Sequence, residues 1–322
     1  MLTPSKVNLD LDFEREDFYD FLKSNDLEFD SCDEAYAIRE DGKIVATGAY
    51  EGNVLKLFAS NADKREEGLI PKIVTHIKQI LFEKGINQTF IFTKPIYTEV
   101  FKSLFYEELA RTDKIVLLTD NMNDYYNWID KLKAHSKYNA CIVMNANPFT
   151  KGHRYIAEKA AMDITNIIVF VVEEDKSFFP FMTRLKMVEK GLEDIWLSVE
   201  PGGKYIISNS TFPSYFLKST DNKSKEFAKL DADLFVGRIA KDLGIKIRYL
   251  GEENYDALTK YYNETLIERA KGTDLEIRVV PRLEIDGQVV SASYVREHLD
   301  EPELIEKFLP KTTIDILNEG GE

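Results

Sequence analysis

The feature that most constrains this chain is a strand–loop–helix segment near its middle. Ala140-Cys141-Ile142-Val143 is a short apolar run. It leads into Met144-Asn145-Ala146-Asn147-Pro148-Phe149-Thr150-Lys151-Gly152-His153, marked as a loop by Pro148 and Gly152. A helix-like run follows, Arg154-Tyr155-Ile156-Ala157-Glu158-Lys159-Ala160-Ala161. A strand feeding such a loop and helix turns free backbone N–H groups and the positive end of the helix dipole toward the loop, a setting for an anion. Thr150 and His153 are three residues apart and share one face of the first helical turn. A cationic or N–H-donating His beside a phosphate points to phosphoryl or nucleotidyl chemistry.

The segment opens a longer pattern. From Asn139 onward strands are expected at 140–144, 166–173, 195–199, 246–250 and 276–280, with helices at 152–163, 182–193, 226–243 and 256–270 between them. Alternation of this kind specifies an α/β, Rossmann-like parallel sheet covered by helices on both faces. Ligands on such sheets lie beyond the carboxyl ends of the strands. The chain before it reads as an α+β unit. Strands are expected at 35–39, 43–50, 54–59, 89–93 and 114–118, and Asp41-Gly42 marks a hairpin turn. A helix is expected over 71–83, with Pro71 in its first turn and Ile73, His76, Ile77 and Ile80 on one stripe. The spacing of Tyr125, Trp128, Ile129 and Leu132 makes 121–135 a linking helix. The expected domains are residues 1–120, a linker over 121–137, and residues 138–322.

Composition narrows the function. A chain of 322 residues, 44% hydrophobic and 30% charged, can bury two cores. A net charge of −14 argues against a nucleic-acid partner, whose binding needs a basic surface. Lys218, Lys223, Lys225 and Lys229 form either a basic face for an acidic partner protein or a solvated loop. Cys32 and Cys141 are too few for a disulfide framework, no His/Cys/Asp cluster has zinc spacing, and Cys141 reads as a small core residue. Residues 1–20 hold no apolar signal region, and the run at 167–172 is too short to cross a membrane, so a cytoplasmic protein is expected.

Two separated motifs carry a resemblance. Thr150-Lys151-Gly152-His153 resembles the first signature of the nucleotidylyltransferase superfamily. Val290-Ser291-Ala292-Ser293-Tyr294-Val295-Arg296 resembles the second. The 145–153 stretch, Phe212-Pro213-Ser214-Tyr215-Phe216-Leu217-Lys218, Gly251-Glu252-Glu253 and Ser291-Ala292-Ser293 are similar to blocks of one member family, the citrate (pro-3S)-lyase ligases, along essentially the whole chain. That family opens with a domain similar to GNAT acetyltransferases. The resemblance implies an acid–thiol ligase that forms acetyl-AMP from acetate and ATP with Mg²⁺. It would then acetylate the thiol of the phosphoribosyl-dephospho-CoA group on the citrate lyase acyl-carrier subunit, switching the lyase on.

The residues suit that chemistry. His153 and Thr150 would donate to the α-phosphate, and Arg296 would meet the leaving pyrophosphate as a fork of donors. Ser291 and Ser293, where a short helix starts, would hold β- and γ-phosphates. Asn145, Asn147, Pro148, Phe149 and Gly152 would shape the loop around ATP, Gly251 and Glu252 would lie near the sugar, and Arg184 would contact phosphate. Mg²⁺ would be held by ATP and water. Lys151 and Arg154 read as solvated charges or further phosphate contacts, His76 as structural, and His135 and His298 as exposed.

In the first domain Arg65-Glu66-Glu67-Gly68-Leu69-Ile70 resembles the CoA-pyrophosphate motif of GNAT proteins, except that Ile70 stands where a small residue belongs. The reading is a domain that positions the carrier or its dephospho-CoA arm without acetyltransferase catalysis. Two other functions stay open: a nucleotidylyltransferase that adenylates a phosphate ester in cofactor synthesis, and a protein that only binds nucleotide.

Overall fold

A computed structural model of the chain describes residues 2–174, 177–207 and 220–319, without the side chains of Arg65, Glu66 and residues 220–223. The chain divides into two compact units, Met1–Asn127 with Pro213–Leu230 and Trp128–Phe212 with Asp231–Glu322.

The first unit holds β1 (Ser5–Val7), α1 (Asp12–Ser24), β2 (Glu34–Glu40), β3 (Lys43–Glu51), β4 (Val54–Ser60), α2 (Leu69–Glu83), β5 (Phe90–Thr93), α3 (Thr98–Lys102), β6 (Glu107–Arg111) and β7 (Val116–Thr119). They form one sheet ordered β1-β2-β3-β4-β5-β7-β6. Asp41 and Gly42 take φ of 50° and 80°, the left-handed pair a two-residue hairpin needs. A bulge opposite β3 puts Leu57 at φ 59°. Gly48 faces it, where a Cβ would come within 2.6 Å of both Ile73 Cγ2 and Phe58 Cε1. Parallel pairing of β4 with β5 is confined to Val54↔Phe90 and Leu55↔Ile91. Beyond that point lies a cavity of about 630 Å³, lined by Phe58–Ala62 of β4 and its exit, Ile70 and Pro71 of α2, Thr93 and Lys94.

The unit boundary falls inside α4 (Met122–His135). The second unit continues with β8 (Ala140–Met144), α5 (Lys151–Asp163), β9 (Ile167–Val171), α6 (Phe181–Gly191) and β10 (Ser198–Pro201). After α7 (Thr220–Leu234), which crosses back from the first unit, come a π-turn (Phe235–Ile239), α8 (Ala240–Leu243), β11 (Ile247–Gly251), α9 (Ala257–Ala270) and β12 (Glu276–Val280). A small hairpin of β13 (Glu284–Ile285) and β14 (Gln288–Val289) precedes α10 (Ala292–Glu297), α11 (Pro302–Ile305) and α12 (Lys311–Glu319). The sheet is ordered β10-β9-β8-β11-β12 and every pairing is parallel. Strand order reverses between β8 and β11, so their carboxyl ends flank the switch-point crevice. The core beneath that crevice joins Ile142, Met144, Phe149, Val169, Met187 and Val188.

The expected fold class is the one present, an α+β unit followed by a Rossmann-like parallel unit. Some elements differ from expectation. The strand expected at 195–199 is Ser198–Pro201, because Ile195 and Leu197 pack on the core from the preceding loop. The helix expected at 226–243 is interrupted by the π-turn, which sets the Phe235 ring 4.0 Å over the buried Arg248 guanidinium. β1, α1 and β6 carry no expectation from sequence. No helix among the described residues is long and apolar enough to cross a membrane.

Candidate active site

The 145–153 loop leaves β8 at the switch point and enters α5. Its framework is Arg184, on α6. This side chain is fully buried, and it donates from Nη1 to Asn145 O (2.8 Å), Asn145 Oδ1 (2.7 Å) and Val172 O (2.9 Å), and from Nε to Phe179 O (3.0 Å). Nη2 also bonds the Glu174 carbonyl. The guanidinium thus ties the loop after β8 to the loop after β9 from below, and the phosphate contact expected of Arg184 does not match this position. Asn145 completes the tie through Nδ2 to Ser177 Oγ at 3.1 Å. Asp175 and Lys176, just before Ser177, lie outside the described residues.

Asn147 is fixed at both ends. Its Oδ1 accepts from Phe179 N–H at 3.0 Å, and its carbonyl accepts from Arg296 Nη1. The peptide between Asn147 and Pro148 is cis. Arg296 Nη2 also donates to Ser293 Oγ at 3.0 Å, while Ser291 caps α10 by accepting from Tyr294 N–H at 3.3 Å. A Cβ built on Gly152 would meet Val290 Cγ1 at 3.4 Å. The two motifs, far apart in sequence, are therefore joined at Asn147–Arg296 and Gly152–Val290.

His153 sits at the third position of α5. Its Nδ1 accepts from the Thr150 N–H at 3.0 Å and lies 2.9 Å from Thr150 Oγ1. Burial, reinforced by the positive charge of Arg282, lowers its pKa from 6.5 to about 4. The ring is neutral at pH 7, and an acceptor Nδ1 puts its one proton on Nε2. The site therefore presents an imidazole N–H donor without a cationic charge. Phe149, fully buried, stacks on this ring with centroids 5.8 Å apart and planes at 21°.

Gly251 ends β11, its carbonyl held by Asn263 Nδ2 at 2.9 Å, and a Cβ there would stand 3.0 Å from Ile156 Cδ1. Glu252 N–H donates to Val280 O at 2.8 Å. Arg282 donates from Nε to Glu252 O at 2.9 Å and pairs with the Glu253 carboxylate. Sequence reasoning did not single out Arg282, although it lies two residues past the carboxyl end of β12, where such a sheet collects function.

Other candidates are otherwise engaged. Lys151 Nζ donates to Lys307 O at 2.7 Å, and Arg154 forks onto Asp194 at 2.8 and 2.7 Å. His76 meets Tyr36 edge-on at 5.1 Å, and His135 Nδ1 lies 3.1 Å from Glu200. His298, expected to be exposed, stacks on Tyr294 at 4.1 Å. Burial pushes the Cys141 thiol up to about 12. Of the basic patch, Lys229 pairs with the buried Glu226 at 3.1 Å, and Lys218 and the Lys223 side chain lie outside the described residues. The 212–218 block does so as well. Among the described residues, no group of three His, Cys, Asp or Glu side chains could hold a metal ion.

The chain is similar to proteins that bear on this geometry. A family model described as the citrate lyase ligase C-terminal domain matches residues 139–317. The citrate (pro-3S)-lyase ligase of Escherichia coli K12 is 32% identical over 92% of this chain and 88% of its own length. The Klebsiella pneumoniae ligase is 34% identical over 86% of this chain and 84% of its own. Among solved structures, an acyl-CoA N-acyltransferase from Pseudomonas aeruginosa aligns with 37% of this chain at 12% identity and a TM-score of 0.30. Both signature motifs lie within the matched 139–317 region, and their residues meet around one loop at the switch point. The chain belongs to the family of citrate (pro-3S)-lyase ligases.

Proposed function

We propose that this ligase condenses acetate with ATP to form acetyl-AMP and pyrophosphate. It then acetylates the thiol of the phosphoribosyl-dephospho-CoA group on the citrate lyase acyl-carrier subunit. In the first step an acetate oxygen bonds to the α-phosphorus as the bond to the β-phosphate oxygen breaks. In the second the carrier's thiolate bonds to the acetyl carbon, AMP departs, and the thiol proton is released.

The observation that carries the reading is the state of His153. Its Nδ1 is occupied by Thr150, its ring is neutral, and Nε2–H remains as a donor for a negatively charged α-phosphate. Fixed donors in place before charge develops are the main catalytic device for such a step. Ser291, Ser293 and Arg296 serve the departing pyrophosphate. Gly152 leaves room over the start of α5, and Gly251 and Glu252 border the sugar. Mg²⁺ would be held by the phosphates and water, supplying charge neutralisation to the pyrophosphate.

In the first unit, the cavity where β4 and β5 part would receive the carrier's prosthetic arm. Ile70 and Pro71 line it at the start of α2. Pro71 removes one of the N–H groups a helix N-terminus offers a pyrophosphate, and Ile70 crowds the approach. That combination suits guiding an arm better than holding free acetyl-CoA for catalysis. Incubation with holo carrier protein and labelled acetate tests the whole reading. Label should reach the carrier thiol only with ATP. Transfer from acetyl-CoA in the absence of ATP would refute it.

A further inference from the structure

We infer that Gly191, the last residue of α6, is a positioning residue for His153, acting through Phe149; this rests on the adenylation chemistry proposed above. Gly191 is buried, and its backbone does not occupy the left-handed region that favours glycine. The reason for glycine is steric. A Cβ there would lie 2.3 Å from Phe149 Cε1, 2.7 Å from Cδ1 and 3.3 Å from Cζ, and the first two distances are below any real carbon–carbon contact.

The contact has no slack on either side. Phe149 is fully buried, and its ring is stacked on His153. The Gly191 carbonyl accepts from Arg154 Nη1 at 2.7 Å, and Arg154 is itself forked onto Asp194. The end of α6 is thereby fastened to α5, the helix that carries His153. An added methyl group must displace Phe149, and Phe149 precedes Thr150, whose N–H fixes the imidazole tautomer. A misplacement of about 1 Å at a reacting centre can lower the rate by about 10²-fold.

The test uses the full-length enzyme with Gly191→Ala, Phe149→Leu and the double variant. For Gly191→Ala the turnover of acetate-dependent ATP–pyrophosphate exchange should fall by about 10- to 10²-fold. The affinity for α,β-methylene ATP should stay within about threefold, because binding groups on α10 are untouched. The smaller Leu should make room, so the double variant should turn over faster than Gly191→Ala. Imidazole ¹⁵N shifts of His153 should move in Gly191→Ala and recover partly in the double variant. They report positioning even if the wild-type enzyme shows no acetate-dependent exchange, an outcome that would refute the adenylation chemistry alone. Unchanged His153 shifts, or equal turnover in Gly191→Ala and a wild type that does exchange, would overturn the inference. If Gly191→Ala fails to fold and the double variant fails as well, the clash is not with Phe149 and the inference is also overturned.

Discussion

Replacing Arg184 by Met separates two roles an arginine near a phosphate loop can have. In this structure the guanidinium is fully buried and bonds five acceptors, four carbonyl oxygens and the Asn145 side-chain oxygen. Met keeps much of the apolar volume beside Phe181, whose ring centroid lies 5.7 Å from the guanidinium carbon. It satisfies none of the acceptors. Leaving a buried polar group without its partner costs roughly 1–3 kcal/mol. Five such losses do not add, because the cost of burying the cation disappears with it, and breaking one side of a buried charged network typically costs about 3–5 kcal/mol. At about 2–4 °C per kcal/mol for a unit of this size, the melting temperature should fall by roughly 6–20 °C. Thermal unfolding followed by circular dichroism, with ATP affinity measured by calorimetry below the transition, reads both effects. A variant that melts like wild type but binds ATP tenfold more weakly would refute the structural role and return Arg184 to the nucleotide.

Two further predictions follow from other parts of the molecule. In nucleotide-free enzyme, ¹⁵N-edited imidazole spectra should show His153 protonated on Nε2 with a pKa near 4; a cationic ring at pH 6 would contradict the donor assignment. Because that folded value lies below 6.5, the unfolded chain binds more protons between those limits, so His153 costs no stability above the window and destabilises the fold as pH falls through it. In the first unit, Gly48→Ala should destabilise by about 1–3 kcal/mol, since its Cβ would meet Ile73 and Phe58 at 2.6 Å. Acetate-dependent exchange should be unaffected, and wild-type stability in denaturant titrations would count against the packing described.

What was legible in the sequence follows from how each element is buried. β8 and β9 are covered on both faces, so Ala140–Met144 and Ile167–Val171 read as continuous apolar runs. β6 is an edge strand, and its Glu107 and Glu108 guard that edge, which hides it from a hydrophobicity pattern. β10, also at an edge, is only half-buried, so the apolar Ile195 and Leu197 drew the expected strand too early. Nothing in local pattern marks the π-turn that breaks the helix before β11. At the candidate site, Thr150, His153, Ser291 and Arg296 could be singled out because each belongs to a motif with fixed spacing. For Arg184, residue type alone does not tell whether a guanidinium faces ligand or carbonyls. Gly191 and Arg282 make their contacts with segments distant in sequence, which only the fold brings together.

In the proposed reaction His153 donates to the α-phosphate during acetate adenylation. Acetate-dependent ATP–pyrophosphate exchange tests it most directly, because it reads that step without the carrier. Wild-type enzyme should exchange only when acetate is present, and His153→Ala should exchange about 10²–10³-fold more slowly, the loss expected for one preorganised donor. Exchange in His153→Ala at close to the wild-type rate, or wild-type exchange that does not need acetate, would contradict it.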